Sequence, residues 1–339
     1  MGIKRRSNPV VEQDGAGGGA EDLCCREDPA AAGGCGVWLG AEAAARGGNG
    51  ARRFVSQRVL VESDVTAGIA TIKFKNPPVN SLSLEFLTEF IICLEKLEND
   101  KTYRGLILTS DCPGIFSAGL DLREMCGKNL AHYAEYWRAI QETWLKLYLS
   151  NMVLVAAING ASPAGGCLMA LSSDYRVLAD NPRYRIGLNE TLLGIVAPFW
   201  FKDVLVNTIG HRAAEHALQL GLLFQPTEAL QVGMVDQVVP EDQVQSTALS
   251  VMTEWLAIPV LRFLSECLRK IGNDPTVSAT SFSLDHARQL TKSMMRKATA
   301  DNLIKQREAD IQNFVSFVSR DSIQKSLQVY LEKLKQKKH

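Results

Sequence analysis

The chain has 339 residues, enough for one large domain or two smaller ones, and its 46% hydrophobic and 22% charged residues suit an ordinary soluble core. Lysine plus arginine balance aspartate plus glutamate at 37 each, so no net field points to nucleic acid or an anionic membrane surface. No apolar run of about eighteen residues occurs, and no membrane span is expected. Residues 1–52 hold the Gly/Ala-rich stretch GAGGGAEDLCCREDPAAAGGCG, which lacks an apolar period and is expected to be disordered. The acids Glu12, Asp14, Glu21, Asp22, Glu27 and Asp28 conflict with a transit peptide, although AAARGGNGARRFVSQ (43–57) has the composition of the end of one. The eight cysteines are scattered without CxxC spacing and read as free thiols of a reducing compartment. The five histidines show no metal-ligand spacing.

The globular pattern begins near Arg58. RVLVES and GIATIKFKN alternate around a turn and predict a hairpin. NPPVNSLS (76–83) breaks the second strand, and Ser83 is placed to cap a helix striped with Leu84, Leu87, Ile91, Leu94 and Leu97. GLILTS (105–110), MVLVAAING (152–160) and YRVLAD (175–180) are short apolar runs bounded by turn residues, as buried strands are. Strands alternating with helices make the fold class α/β. From about residue 198 the pattern is mostly helical, with Gly210 ending one helix and an amphipathic, basic-ended helix closing the chain.

Three stretches carry candidate chemistry. FSAGLDL (116–122) follows a strand and a Pro-Gly turn; its small residues let a ligand approach the backbone, although an ordinary tight turn has the same composition. In NGASPAGGCLMAL (159–171) a buried strand ends and Pro163, Gly165 and Gly166 lead into an apolar helix. N–H groups at such a helix start favour an anionic oxygen, and a purely structural turn fits equally. IGLNETLLGIVAPFW (186–200) holds a single charge, Glu190. A buried, unpaired carboxylate is costly to ionise and can exchange protons near neutral pH, whereas an exposed or capping glutamate has no such property.

Together, in this order and spacing, the stretches resemble the crotonase (enoyl-CoA hydratase/isomerase) superfamily. KFKNPPVNSLSLEFL, GIFSAGLDLREMCG, PAGGCLMAL, NPRYRIGLNETLLGIVAPFW, ALQLGLLF and NFVSFVSRDSIQKSLQVYLEKLK are similar to its mitochondrial Δ3,Δ2-enoyl-CoA isomerases, over about 52–259 and 285–339. The resemblance implies a spiral of ββα repeats (53–250) followed by a C-terminal helical trimerisation region (251–339). It implies that Ala118 and Gly165 supply the N–H groups of an oxyanion hole. Ala118, Gly119, Leu120, Asp121 and Leu122 line the thioester and CoA path, with Gly165 opposite. Glu190 is the acid/base. Hydratases of the superfamily carry a second glutamate where this chain has Leu168, which leaves one carboxylate for a proton transfer from C2 to C4 in a dry pocket. Phe199 and Trp200 either wall the acyl tunnel or pack the core. The implied partners are an acyl-CoA substrate and two further copies in a homotrimer, with no nucleic acid. No metal or redox cofactor is implied, because CoA belongs to the substrate. The implied location is the mitochondrial matrix.

Val260–Leu284 departs from the family pattern, in which AIP runs almost directly into DHARQLTK. It opens as an amphipathic helix, VLRFLSECLRKIG, and ends as a Ser/Thr-rich linker. Its Leu261, Phe263, Leu264 and Leu268 require burial. The alternatives to an isomerase are a hydratase-like enzyme, opposed by Leu168, and a non-catalytic variant that keeps the fold, supported by this insertion.

Overall fold

The computed structural model describes residues 51–257 and 280–336. The leader to residue 50 and residues 260–279 of the insertion, with the helix expected there, lie outside the described residues. Three strands open the fold: β1 (Ala51–Val55), β2 (Val59–Asp64) and β3 (Ile69–Phe74), paired antiparallel in succession. β2 and β3 are the predicted hairpin. Asp64 Oδ1 ties their turn by accepting from the Thr66 and Ala67 N–H groups at 2.9 and 3.1 Å. β1 begins seven residues ahead of Arg58, within the stretch that reads as a leader, because its residues pair with β2 from Ala51↔Asp64 to Val55↔Leu60.

From β3 onward the chain repeats one step: a long strand, a short strand, a helix. The first step adds β4 (Ser81–Leu82) and α1 (Leu84–Asn99). The second runs β5 (Gly105–Ser110), β6 (Gly114–Ile115), β7 (Gly119–Leu120) and α2 (Leu130–Tyr148). The third runs β8 (Val153–Ile158), β9 (Gly160–Pro163) and α3 (Gly165–Leu171). The fourth runs β10 (Tyr175–Ala179), β11 (Ile186–Gly187), a 3₁₀ turn (Glu190–Leu193) and α4 (Phe199–Ile209). Then come α5 (His211–Leu220), α6 (Pro226–Gln231), β12 (Gln237–Val239), α7 (Val244–Ala257), α8 (Thr280–Val318) and α9 (Asp321–Gln336).

The long strands form a sheet in the order β1-β2-β3-β5-β8-β10-β12, parallel from β3 on. β5 and β8 are buried at every position, as central parallel strands covered on both faces must be. The short strands stack separately as β11-β9-β6, with β4 and β7 as a further pair. This is the crotonase-type spiral of ββα repeats, each turn adding a strand to both layers. The layers leave no room for side chains at their crossings. A Cβ on Gly160 would stand 2.2 Å from the Ile115 nitrogen, and one on Gly166 2.3 Å from the Ser117 carbonyl oxygen.

Ser83 caps α1 as expected, accepting from the Phe86 N–H. α2 has no predicted counterpart, yet its buried Tyr133, Tyr136, Trp137, Ile140, Trp144 and Leu147 follow a helical period. One face of the large sheet packs on α1–α4 and α8; the other packs on α7 through Val244, Ala248, Val251 and Met252. The boundary drawn at residue 250 falls inside α7. Thr280–Leu284, read as linker, form the first turn of α8. Cys93, Cys112, Cys126 and Cys167 are free thiols. Among the described residues no helix is long and apolar enough to cross a membrane.

A buried charge cluster fixes α8 to this core. Lys292 Nζ and Arg296 Nη2 each reach Asp174 at 2.8 Å, and Arg296 Nη1 donates to the carbonyls of Tyr148 and Ser172 at 2.9 Å. Burial pulls the Lys292 ammonium down to about 8 despite Asp174. Asp174→Ala strands two buried cations and is expected to cost about 3–5 kcal/mol in urea unfolding of the full chain. Asp301→Ala, whose partner Lys297 is 66% exposed on the same helix, is expected to cost less than about 1 kcal/mol. Equal losses would show that burial does not decide the strength of these pairs.

Candidate active site

The ends of the short strands and the C-terminal helices enclose a cavity of about 1160 Å³. Glu190 lines it, at the start of the 3₁₀ turn that follows β11. β11 pairs with β9, and the Ala164 N–H donates to the Gly187 carbonyl at 2.8 Å, so the Glu190 turn is held against the Ala164–Gly165 corner. Gly194, left-handed at φ +69°, ends the turn, and the Ile195 N–H returns to the Glu190 carbonyl at 3.1 Å. Thr191 Oγ1 secures it to the Leu218 carbonyl at 2.6 Å.

Glu190 is only 7% exposed, and neither carboxylate oxygen has a hydrogen-bond partner. No ion pair reaches it among the described residues. Burial pushes the carboxyl up to about 7. Its own backbone N–H pulls weakly the other way, without reaching hydrogen-bond geometry with either oxygen. The result is a proton acceptor poised near neutral pH.

The corner from Ser117 to Asp121 lines the same cavity through Ala118, Leu120 and Asp121. Ser117 Oγ donates to the Asn80 carbonyl at 2.7 Å and accepts the Gly119 N–H at 3.1 Å. The Ala118 N–H donates to the Val79 carbonyl at 2.9 Å, and the Asp121 N–H to the Tyr136 hydroxyl at 3.0 Å. Ala118 therefore lines the cavity, but its N–H is spent within the protein, and the donor role expected of it is corrected. The neighbour of Gly165 is Leu120. A Cβ on Gly165 would lie 3.3 Å from the Leu120 nitrogen, and one on Gly119, at φ +82°, would lie 2.7 Å from the Gly165 nitrogen. As the first residue of α3, Gly165 has no acceptor for its N–H inside its own helix. This approach explains both glycines: any side chain at either position would part the two main-chain segments.

Leu120, Asp121 and Leu122 line the cavity with Ala118, whereas Gly119 and Gly165 are buried behind its surface. The Asp121 carboxylate is clamped by the Arg123 guanidinium, with Nε donating to Oδ1 at 2.9 Å. Leu168 does not face the large cavity. It lines a void of about 10 Å³ with Leu82, Leu120 and Gly165, and that wall is apolar. Phe199 lines the cavity, while Trp200 is fully buried and packs edge-on against Trp137 and Phe201. Sequence reasoning missed the far wall, made by Trp137 of α2, Phe314 and Phe317 of α8 and Tyr330 of α9. The phenylalanines of NFVSFVSR were its only sequence signal. Among the described residues no three of His, Cys, Asp or Glu converge as a metal-ligand set.

The family model described as enoyl-CoA hydratase/isomerase matches residues 64–282 and 277–338. The human protein named enoyl-CoA delta isomerase 1, mitochondrial, is 70% identical over 297 residues, 88% of this chain and 90% of that one. A short-chain-enoyl-CoA hydratase of Clostridium acetobutylicum is 28% identical over 190 residues, 56% of this chain and 72% of the other. The crystal structure of human mitochondrial delta3-delta2-enoyl-CoA isomerase matches with a TM-score of 0.75 at 70% identity, over 84% of this chain and 100% of that chain. The chain belongs to the enoyl-CoA hydratase/isomerase family.

Proposed function

We propose that the chain is a Δ3,Δ2-enoyl-CoA isomerase of fatty-acid β-oxidation, turning 3-cis or 3-trans-enoyl-CoA into 2-trans-enoyl-CoA. One observation carries the reading: a single buried carboxylate, Glu190, with neither hydrogen bond nor counter-charge, lines one cavity with the main-chain corner of Ala118, Leu120 and Asp121. The thioester and the C3=C4 bond both acidify C2. Glu190 takes a proton from C2, and the electron pair moves into the thioester carbonyl to give a dienolate. The Leu120 and Gly165 N–H groups hold its oxygen, fixed before the charge develops. Glu190 then gives the proton to C4, the C2=C3 bond forms and the carbonyl is restored.

One carboxylate suffices because the same proton leaves and returns. Hydration would need a second group to orient a water, and Leu168 supplies none. The reaction as written uses no metal or redox cofactor. The leading assembly is a homotrimer. α8 presents Leu290, Met294 and Met295 at 57%, 71% and 73% exposure, an apolar strip suited to burial against another copy. The relatives named mitochondrial support a matrix location.

Glu190→Gln should lower kcat for 3-hexenoyl-CoA isomerisation by about 10²–10⁴-fold. Full activity in the variant would remove Glu190 from the reaction. In the parent, kcat/KM should rise with pH through about 7, as the base form fills. The stability change has the opposite sense. The folded state holds a proton on Glu190 that the unfolded state loses from about 4.5 upward, so rising pH costs stability until about 7. Glu190→Gln should therefore be more stable than the parent at about pH 8, by up to about 3 kcal/mol, with the gap closing below about pH 4.5. A gap independent of pH would contradict the raised Glu190.

Gly119→Ala sets a Cβ 2.7 Å from the Gly165 nitrogen. It should reduce kcat by about 10²-fold with a smaller change in KM, because the lost contact is made to the dienolate oxygen. A folded variant with unchanged kcat would place the oxyanion site elsewhere.

A further inference from the structure

Asp310 lines the cavity beside Glu190 and Asp121, and the proton transfer written above does not use it. It sits on α8, 8% exposed. Its Oδ2 accepts three N–H groups: Trp137 Nε1 at 2.7 Å, Gln141 Nε2 at 2.7 Å and Trp200 Nε1 at 3.2 Å. No lysine or arginine pairs with it among the described residues; nearby, Arg307 is taken by Gln141 Oε1 and Glu142. The charge is therefore held by neutral dipoles alone, all on one oxygen. No donor reaches Oδ1 among the described residues, and Oδ1 is not sealed from solvent. Around it the cavity is aromatic, with Trp137 stacked on Phe314 at 3.9 Å and 8°. Docking of α8 onto α2 and α4 is complete with Oδ2. The open oxygen serves the cavity.

We infer that Asp310 is a specificity-determining residue that fixes how far an acyl chain extends into this cavity, its Oδ1 stopping a methyl terminus and accepting a hydrogen-bond-donating one. The inference rests on the isomerase reading above. Each methylene that leaves water for the aromatic wall strengthens binding about fourfold. A methyl that reaches Oδ1 instead displaces the water on a carboxylate oxygen and returns no hydrogen bond, so the gain stops there. A terminal hydroxyl at that depth donates to Oδ1 and keeps the gain.

The test uses the full chain and saturated acyl-CoAs graded from hexanoyl to palmitoyl, as competitive inhibitors of 3-hexenoyl-CoA isomerisation. Parent affinity should climb about fourfold per methylene and then flatten at one length. In Asp310→Asn, which keeps the volume and an acceptor oxygen, the flattening should move outward by about two methylenes. The longest chain should gain about tenfold or more relative to hexanoyl. An unmoved break, or no break in the parent, overturns the inference. If the variant does not fold, the parent alone decides. At the break length an ω-hydroxyacyl-CoA should bind several-fold tighter than its methyl-ended counterpart, and equal binding overturns the inference. Absence of parent turnover on 3-hexenoyl-CoA sinks the isomerase reading, and this inference with it. Turnover with an unmoved break sinks this inference alone.

Discussion

A carboxylate inside a protein normally acquires a hydrogen bond or a counter-charge, because leaving it bare costs free energy. The surroundings of Glu190 hold it away from both. Leu188 before it is buried, the turn after it is closed by backbone contacts, and its two oxygens meet no donor. A donor from the protein would pull the carboxyl back toward its ordinary range and leave it a weaker base. The scaffold must therefore be rigid where it touches the backbone of Glu190 and silent where it faces the side chain. Its contacts to the turn meet that condition: Ile195 N–H and Thr191 Oγ1 secure main chain and neighbour, not carboxylate.

The spiral explains how residues so distant in sequence arrive at one wall. Every turn of the chain ends a long strand, steps through a short one and starts a helix. Stacking the short strands brings the ends of successive turns together. β4 meets β7, and β11 meets β9, so 79–82, 117–121, 163–165 and 187–190 converge without any contact local in sequence. Close stacking requires glycine where main chain touches main chain, at Gly160 and Gly166 for the layers and at Gly119 and Gly165 for the corner. Asn80, fully buried, ties the first of these segments to the second by donating to Ser110 Oγ and the Phe116 carbonyl.

What the sequence made legible follows from this architecture. The strands of the large sheet are continuous apolar runs, and GLILTS is β5 residue for residue. Glu190 was legible because it is a lone charge in an apolar stretch. The corner proposed to hold the oxyanion was legible as a place and not as atoms. A main-chain donor leaves no residue-type signature, and only the structure shows that Val79 already takes the Ala118 N–H. Trp200 and Phe199 are adjacent aromatic letters, and only the helix rotation sends one to the core and the other to the cavity. The far wall was hidden because it joins Trp137 of α2, upstream of Glu190, to residues of α8 and α9 more than a hundred residues downstream of it.

That distance gives the C-terminal helices a part in the chemistry beyond covering a core. Phe314 and Phe317 of α8 line the same cavity as Glu190, so its apolar lining is complete only if α8 stays seated. α8 is seated by two different devices. Near its start Lys292 and Arg296 both meet Asp174 in a buried cluster of three charged groups, which is strong only while all partners are present. About four turns of helix beyond Arg296, Asp310 takes three neutral N–H donors, which orient the indoles of Trp137 and Trp200 as well as the helix. The first device sets whether the wall is in place; the second sets the shape of that wall. The apolar lining of the cavity that holds Glu190 therefore depends on contacts made by a helix more than a hundred residues further along the chain.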